Sequence, residues 1–355
     1  MLIAFFSTLI QFVFWGPLFQ LLKIPEKSNL HNGKGVSVIV CAHDEAKNII
    51  NTLPKILTQS YKPYEVVFVN DASTDHTEAI IKRLQLKYPH LRLVSLPFSS
   101  PGKKEALEAG VRAAKYTLLV LSDADCTPVS NQWLKHMVDP LIQGKEIVLG
   151  FAPLYSTSQF INLFIRYDGI QTFLLYAALA LKGTPFMGVG RNLAYTKSIY
   201  THRDSIQHRD LIGGDDDLLI NESAHAHNTA VVFHKDSFTI SHAKASWATF
   251  FKQKRRHVSV SWRYKKYHQW ILLFFAASHW FHYLSIVILL FSGFTILAIF
   301  LYLIRLVFII IRFKTLFDHI GYNDLFRWIP VLDAFYFCYY PIIDIFLLQK
   351  PPRHW

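Results

Sequence analysis

Residues 270–311 carry a single formal charge, Arg305, in a run long enough for two helices that turn near Ser292-Gly293. About 20 apolar residues span a bilayer as a helix, so any fold for this chain must set aside a lipid-facing region. Residues 1–22 are almost uncharged before Lys23 and make a further span. They have neither a basic start nor a small-residue cleavage site, which favours a retained helix over a removable signal peptide. Residues 325–348 form a third apolar region, interrupted by Arg327, Pro330, Asp333, Pro341 and Asp344; crossing, re-entering and lying in the interface all stay open for it. The expected organisation is an N-terminal transmembrane helix (1–24), a domain over 25–268, and a C-terminal membrane region (269–355) with two or three helices.

Composition agrees with that division. Hydrophobic residues make up 52% and charged residues 17% of the 355, too apolar a balance for an ordinary soluble enzyme. Lys23, Lys27 and Lys34 follow the first span, and Lys252, Lys254, Arg255, Arg256, Arg263, Lys265 and Lys266 precede the second. The positive-inside rule then places 25–268 in the cytoplasm, against a bacterial-type plasma membrane. Lys350 and Arg353 also favour the inner side. Because the basic residues crowd near the spans, the net charge of +12 points to a membrane surface and not to nucleic acid. Cys41, Cys126 and Cys338 have no metal-ligand spacing and suit a reducing compartment. The 17 histidines are scattered without a His-x-x-x-His pair, and read as surface or interfacial residues, not ligands.

Between the apolar ends, strand-length apolar runs alternate with helical patterns. Strands are expected over 36–41, 65–69, 91–96 and 117–121, and helices over 45–59 (with Pro54 as a kink), 75–88 and 103–115. This alternation predicts an α/β unit with a mostly parallel sheet, which binds nucleotides at its carboxyl edge. Residues 160–181, apolar with Arg166, Tyr167, Asp168 and Gln171 interposed, suggest a helix along the membrane surface. Residues 247–266 mix aromatic and basic residues as a headgroup-level helix does.

Polar clusters stand where these strands end. In Asn70-Asp71-Ala72-Ser73-Thr74-Asp75, Asp71 is the candidate for base or ribose contact, while Ser73 and Asp75 read as helix caps. Gly102-Lys103-Lys104 puts a glycine, a helix N-terminus and a lysine together as an anion site; the spacing of a Walker A loop is missing. Asp123-Ala124-Asp125 presents two carboxylates to one divalent cation and a diphosphate, with Asp125 the metal candidate and Asp123 near the ribose or sharing the metal. Gly190-Arg191-Asn192 offers donors to sugar hydroxyls. In Gly213-Gly214-Asp215-Asp216-Asp217, adjacent carboxylates raise one another's pKa, which suits a general base. Arg256, in Gln253-Lys254-Arg255-Arg256-His257, is either a positive-inside anchor or a diphosphate contact.

In their order these motifs resemble the membrane-bound family 2 glycosyltransferases over roughly residues 36–260. The resemblance implies a GT-A (Rossmann-like) fold and an inverting, metal-dependent hexosyl transfer. Ala42-His43-Asp44-Glu45 stands at the family's first strand-end turn, making Asp44 a donor-site candidate. Asp71, Ser73 and Asp75 match the Asp-x-Ser-x-Asp element, Gly102-Lys103 the Gly-Lys helix start, Asp123 and Asp125 the Asp-x-Asp, and Gly190-Arg191-Asn192 the Gly-x-Asn loop. The family's Glu-Asp aligns on Gly214-Asp215, or with a shift of one on Asp215-Asp216; Asp215 is the first choice of base and Asp216 the second. In the Gln-x-x-Arg-Trp element of polysaccharide synthases, Gln253 and Arg256 match, but His257 replaces the tryptophan. Imidazole offers a smaller stacking face than indole, so single-sugar transfer is expected ahead of processive synthesis. The implied donor is a nucleotide-sugar, a UDP-sugar first, the cofactor Mg2+ or Mn2+, and the acceptor a membrane-associated lipid or lipid-linked glycan. A catalytically silent membrane scaffold is the alternative from another class.

Overall fold

The structure, a computed structural model, describes residues 2–16, 33–97, 102–201, 214 and 216–348. Lys23, Lys27, Gly213, Asp215, Lys350 and Arg353 lie outside the described residues. In chain order the elements are α1 (Leu2–Trp15), β1 (Val36–Ala42), α2 (Ala46–Leu57), β2 (Tyr64–Asp71), α3 (Thr77–Gln85), β3 (Leu91–Leu96), α4 (Lys103–Ala113), β4 (Leu118–Asp123) and β5 (Thr127–Pro128). There follow α5 (Trp133–Ile142), β6 (Ile147–Leu149), α6 (Phe160–Leu181), β7 (Leu193–Thr196), α7 (Lys197–Thr201), α8 (Asp217–Ser223), β8 (Thr229–Val231) and β9 (Thr239–Ile240). The chain continues with α9 (Trp247–Val258), α10 (Lys266–Phe291), α11 (Thr295–Ile320), α12 (Asn323–Phe326) and α13 (Ile329–Leu348).

These elements sort into two compact units. One holds the sheet, from within 24–155 and 179–243. The other is helical, from within 1–23, 156–178 and 244–352. Segments 156–178 and 244–268, grouped with the cytoplasmic domain from the sequence, therefore cluster with the long apolar helices.

In the sheet unit seven strands run in the order β3-β2-β1-β4-β7-β6-β8. β1 pairs in parallel with both β2 and β4, and β2 with β3; β7 joins β4 antiparallel. Strands covered on both faces are continuous apolar runs, and every residue of β2 is buried. One face of the core packs Val38, Phe68 and Val120 against Leu53 of α2 and Trp133 and Met137 of α5. On α4, a Cβ at Gly110 would stand 2.6 Å from the Ile39 side chain, so only glycine lets that helix lie this close to the sheet. Cys41 is in register with both Val69 and Asp123, which puts the ends of β2 and β4 at one edge. β4 reaches two residues past the expected strand and carries Asp123 as its last residue.

In the helical unit α10 and α11 are long and apolar enough to cross a membrane. They turn at Ser292 to Phe294, where Gly293 takes a φ of +82°. α1 has 14 residues, about 21 Å at 1.5 Å per residue. α6 has the expected bounds, but its side chains are buried almost all round and do not form a half-exposed surface stripe. Its charges meet protein partners: Arg166 pairs with Asp324 and stacks on Tyr322, and Asp168 pairs with Lys254 at 2.5 Å and accepts from Tyr336. Lys254 is thus half-buried, with a carboxylate partner inside the protein.

Arg305 and Asp333, each 1% exposed, form a salt bridge between α11 and α13. Arg305 also donates to Gln11 Oε1 at 3.1 Å, and Tyr283 Oη donates to Asp333 Oδ2 at 2.6 Å. Gln11 Nε2 donates to Ser278 Oγ at 2.7 Å, so α1, α10, α11 and α13 share one polar network. Removing one partner of a buried pair strands the other charge, whereas replacing both with apolar groups is far less costly. We predict that Arg305→Met or Asp333→Leu alone lowers stability by about 3–5 kcal/mol and that the double variant recovers most of it. Thermal unfolding of the purified protein in detergent checks this; equal loss in the single and double variants would contradict it.

Candidate active site at the carboxyl edge of the sheet

The edge is built by strand ends and the turns that follow them. After β4 the chain turns sharply, with Cys126 N–H donating to the Asp123 carbonyl at 3.0 Å, so Asp125 follows Asp123 by a tight turn. The Cys126 thiol is buried and donates to Asp125 Oδ1 at 3.3 Å. Burial pushes its pKa well up, and the charges of Asp125 and Asp123 add to that. The sulfur therefore keeps its proton and steadies the Asp125 carboxylate.

Asp71, at the end of β2, takes the Gly102 N–H on both carboxylate oxygens, at 3.2 and 3.0 Å. Burial raises its pKa and that hydrogen bond opposes the rise. Its carboxylate thus holds the start of α4 and with it Lys103, whose Nζ stands 3.1 Å from Asp123 Oδ1. Asp44, at a φ of +55°, accepts from the Thr74 and Asp75 amides at 2.7 and 3.2 Å. The Thr74 amide first, then that of Asp75, holds its pKa below the usual carboxylate range. Ser73 does not cap the following helix; its hydroxyl accepts from the Asp44 amide at 3.0 Å, while Asp75 takes the Thr77 amide at 2.9 Å.

Asp216 precedes α8, with a side chain 13% exposed and Oδ2 3.8 Å from Lys103 Nζ. It lies directly against the backbone of Gly190, where a Cβ would stand 2.0 Å from that same oxygen. Asp216, Lys103 and Asp123 therefore come together, from segments far apart in the chain.

Arg191 is half-buried. It donates to Ser241 Oγ at 3.0 Å, and its carbonyl accepts from Thr239 Oγ1 at 2.7 Å. Its guanidinium is close enough to oppose the upward push on the Cys126 thiol. Asn192 has a different place from the one expected of a sugar contact. It is 0% exposed, gives its amide protons to the Phe151 and Ser237 carbonyls at 2.7 and 2.8 Å, and takes the Trp133 indole N–H at 2.9 Å. With those groups committed inside the protein it braces the loop. Gln253 and Arg256 are on α9, in the helical unit.

The donor set fits a hard divalent cation. Asp123 and Asp125 offer carboxylate oxygens, the ligands Mg2+ and Mn2+ take, and a cation, the Lys103 ammonium, already rests on Asp123.

Residues 37–200 match the model of Glycosyl transferase family 2. Glycosyltransferase AglE of Haloferax volcanii is 24% identical over 174 residues, 48% of this chain and 54% of that protein. The poly-beta-1,6-N-acetyl-D-glucosamine synthase of Staphylococcus epidermidis is 30% identical over 99 residues, 28% of this chain and 24% of that one. The chain thus spans about half the length of the first relative and a quarter of the second. In fold it is similar to the mannosyltransferase PcManGT from Pyrobaculum calidifontis, solved in complex with GDP-Man and Mn2+, with a TM-score of 0.64 over 98% of both chains at 18% identity. The seven-stranded mixed sheet has the GT-A fold.

Several residues of this candidate site gave no sequence signal. Cys126 as donor to Asp125, Trp133 and Ser237 as partners of Asn192, and Ser241 as partner of Arg191 are ordinary residues at ordinary spacings. Gly190 was legible as a loop glycine; its role in seating Asp216 was not. We predict that Gly190→Ala, by displacing the Asp216 carboxylate, lowers turnover at least tenfold. A melting temperature within a few degrees of wild type would accompany it. Steady-state rates and a thermal melt check this; unchanged turnover would contradict the placement of Asp216.

Proposed function

We propose that the protein moves a sugar from a nucleotide-sugar donor to a lipid or lipid-linked glycan acceptor at a membrane, inverting the anomeric carbon with the help of Mg2+ or Mn2+. The observation that carries this reading is the seat of Lys103, 3.1 Å from Asp123 and 3.8 Å from Asp216. It places a positive charge, suited to a diphosphate, between a candidate metal-binding carboxylate and a candidate base.

Asp125, with Asp123, would hold the cation, which as a Lewis acid would neutralise charge on the departing diphosphate. Lys103 adds charge to the same leaving group, and Asp71 acts through the α4 start that it holds. Asp216 accepts the proton of the acceptor hydroxyl as that oxygen bonds to the anomeric carbon. The bond from that carbon to the diphosphate breaks on the opposite face, and the nucleoside diphosphate leaves with the electron pair. A single displacement with a single base inverts the configuration. Asp216 is given this role because its carboxylate is seated on Gly190 beside Lys103; Asp215, the first choice from the sequence, lies outside the described residues. Arg191 remains a candidate for sugar hydroxyls. The two helices long and apolar enough to cross a bilayer support a membrane-held acceptor, and the basic residues that flank the apolar stretches support a cytoplasmic side for the domain between them. His257 in place of tryptophan supports single transfer over chain growth.

The test is nucleoside diphosphate release by the purified protein in detergent, given a native lipid extract and a panel of UDP-sugars. GDP-mannose belongs in that panel because the mannosyltransferase of similar fold is solved with it. We predict release with one donor that requires Mg2+ or Mn2+. Asp216→Asn lowers kcat about 10²–10⁴-fold, the usual contribution of a general base. Asp125→Asn abolishes the metal requirement together with the activity. Full activity in chelator, or in Asp216→Asn, would overturn the reading.

A further inference from the structure

The carboxylate edge does not exhaust the metal-ligating chemistry of the sheet unit. His136 on α5, and His234 and Asp236 around the 3-10 turn Lys235–Ser237, are half-buried. Their ligand atoms lie within 4.8 Å of one another. We propose that these residues form a second metal site, for a transition-metal dication of the Zn2+ class, which pins the 234–241 segment to α5.

The donor set sets this site apart from the first. Two imidazoles and one carboxylate suit Zn2+ and its neighbours, whereas Mg2+ takes oxygen ligands almost alone. The imidazole rings of His136 and His234 are stacked 4.1 Å apart at 14°; metal binding turns one ring so that the two in-plane lone pairs meet. Nδ1 of His234 accepts the Asp236 amide proton at 3.1 Å, a hydrogen bond that a metal at this nitrogen would replace; Asp236 Oδ2 is 3.8 Å away. With zinc–nitrogen bonds of about 2.0–2.1 Å, tetrahedral ligands stand roughly 3.3 Å apart. Closing the set takes side-chain rotations that turn the rings as well as shorten these separations.

The two elements that carry the ligands also hold Asn192. Trp133, one turn before His136 on α5, donates to the Asn192 amide oxygen, and Ser237, next to Asp236, accepts from the Asn192 amide nitrogen. The segment goes on to Thr239 and Ser241, the partners of Arg191. A metal at this point clamps the support of the Gly190-Arg191-Asn192 loop from outside the reacting centre. It does so whether or not the carboxylate edge transfers sugar.

The experiment uses the full chain in detergent, stripped with chelator and reloaded with Zn2+. Bound zinc is counted by mass spectrometry after gel filtration in excess Mg2+. Wild type is expected to hold one equivalent more than His136→Gln and than Asp236→Asn, while Asp125→Asn keeps that equivalent. Zn2+ raises the melting temperature of wild type by several degrees and slows amide exchange over 234–241. Neither change occurs in His136→Gln. If the glutamine variant folds poorly, His136→Phe keeps the ring and removes the ligand. Equal zinc content and equal zinc-induced protection in wild type and both ligand variants would overturn the proposal and leave the pair as a stacked, metal-free contact.

Discussion

The ammonium of Lys103 is the charge on which the edge of this sheet depends. Asp123 and Asp216 arrive from different elements with like charges, and carboxylates gathered at one place repel one another. One cation against Asp123 and within reach of Asp216 offsets that repulsion. Its position is not left to a flexible side chain alone, since Asp71 takes the Gly102 amide immediately before it. The site is thus set by a chain of dependencies: strand β2 ends in Asp71, Asp71 fixes the start of α4, and α4 delivers the lysine. Diphosphate and divalent cation are the partners that such an arrangement of alternating charge accommodates.

The same economy governs the polar residues of the helical unit. Arg305 is the one formal charge in the long apolar stretch, and Asp333 is one of the residues that interrupts the last apolar region. In the fold each is the other's partner, with Tyr283 and Gln11 completing the hydrogen bonds. A charge that is costly alone in an apolar surround becomes tolerable, and position-specific, when it is paired and hydrogen-bonded. Arg166 with Asp324 and Lys254 with Asp168 follow the same pattern.

Much of the sheet was legible in the sequence because parallel strands covered on both faces are unbroken apolar runs. β1, β2 and β3 fall within a residue or two of their expected bounds, and the turn near Gly293 divides the long apolar stretch as expected. β6 and β8, three residues each, are too short to carry a periodic signal. The acidic and basic residues of the edge were legible as types at strand ends. Their pairings were not: Asn192 meets Trp133 and Ser237 across 59 and 45 residues of chain, and no local pattern encodes such a meeting. For the same reason Asn192 looked like a sugar contact and is a brace. His136, His234 and Asp236 escaped notice because histidines were sought at helical spacing, whereas these come from separate elements.

The most direct test of the central claim is a Mn2+ titration of the purified chain by electron paramagnetic resonance, with and without UDP or GDP. If the carboxylate edge holds cation and diphosphate together, one Mn2+ binds through Asp125 and nucleoside diphosphate tightens it. By linkage the metal tightens the nucleotide by the same factor. Nucleotide binding of equal strength in chelator and in Mn2+ would contradict the account.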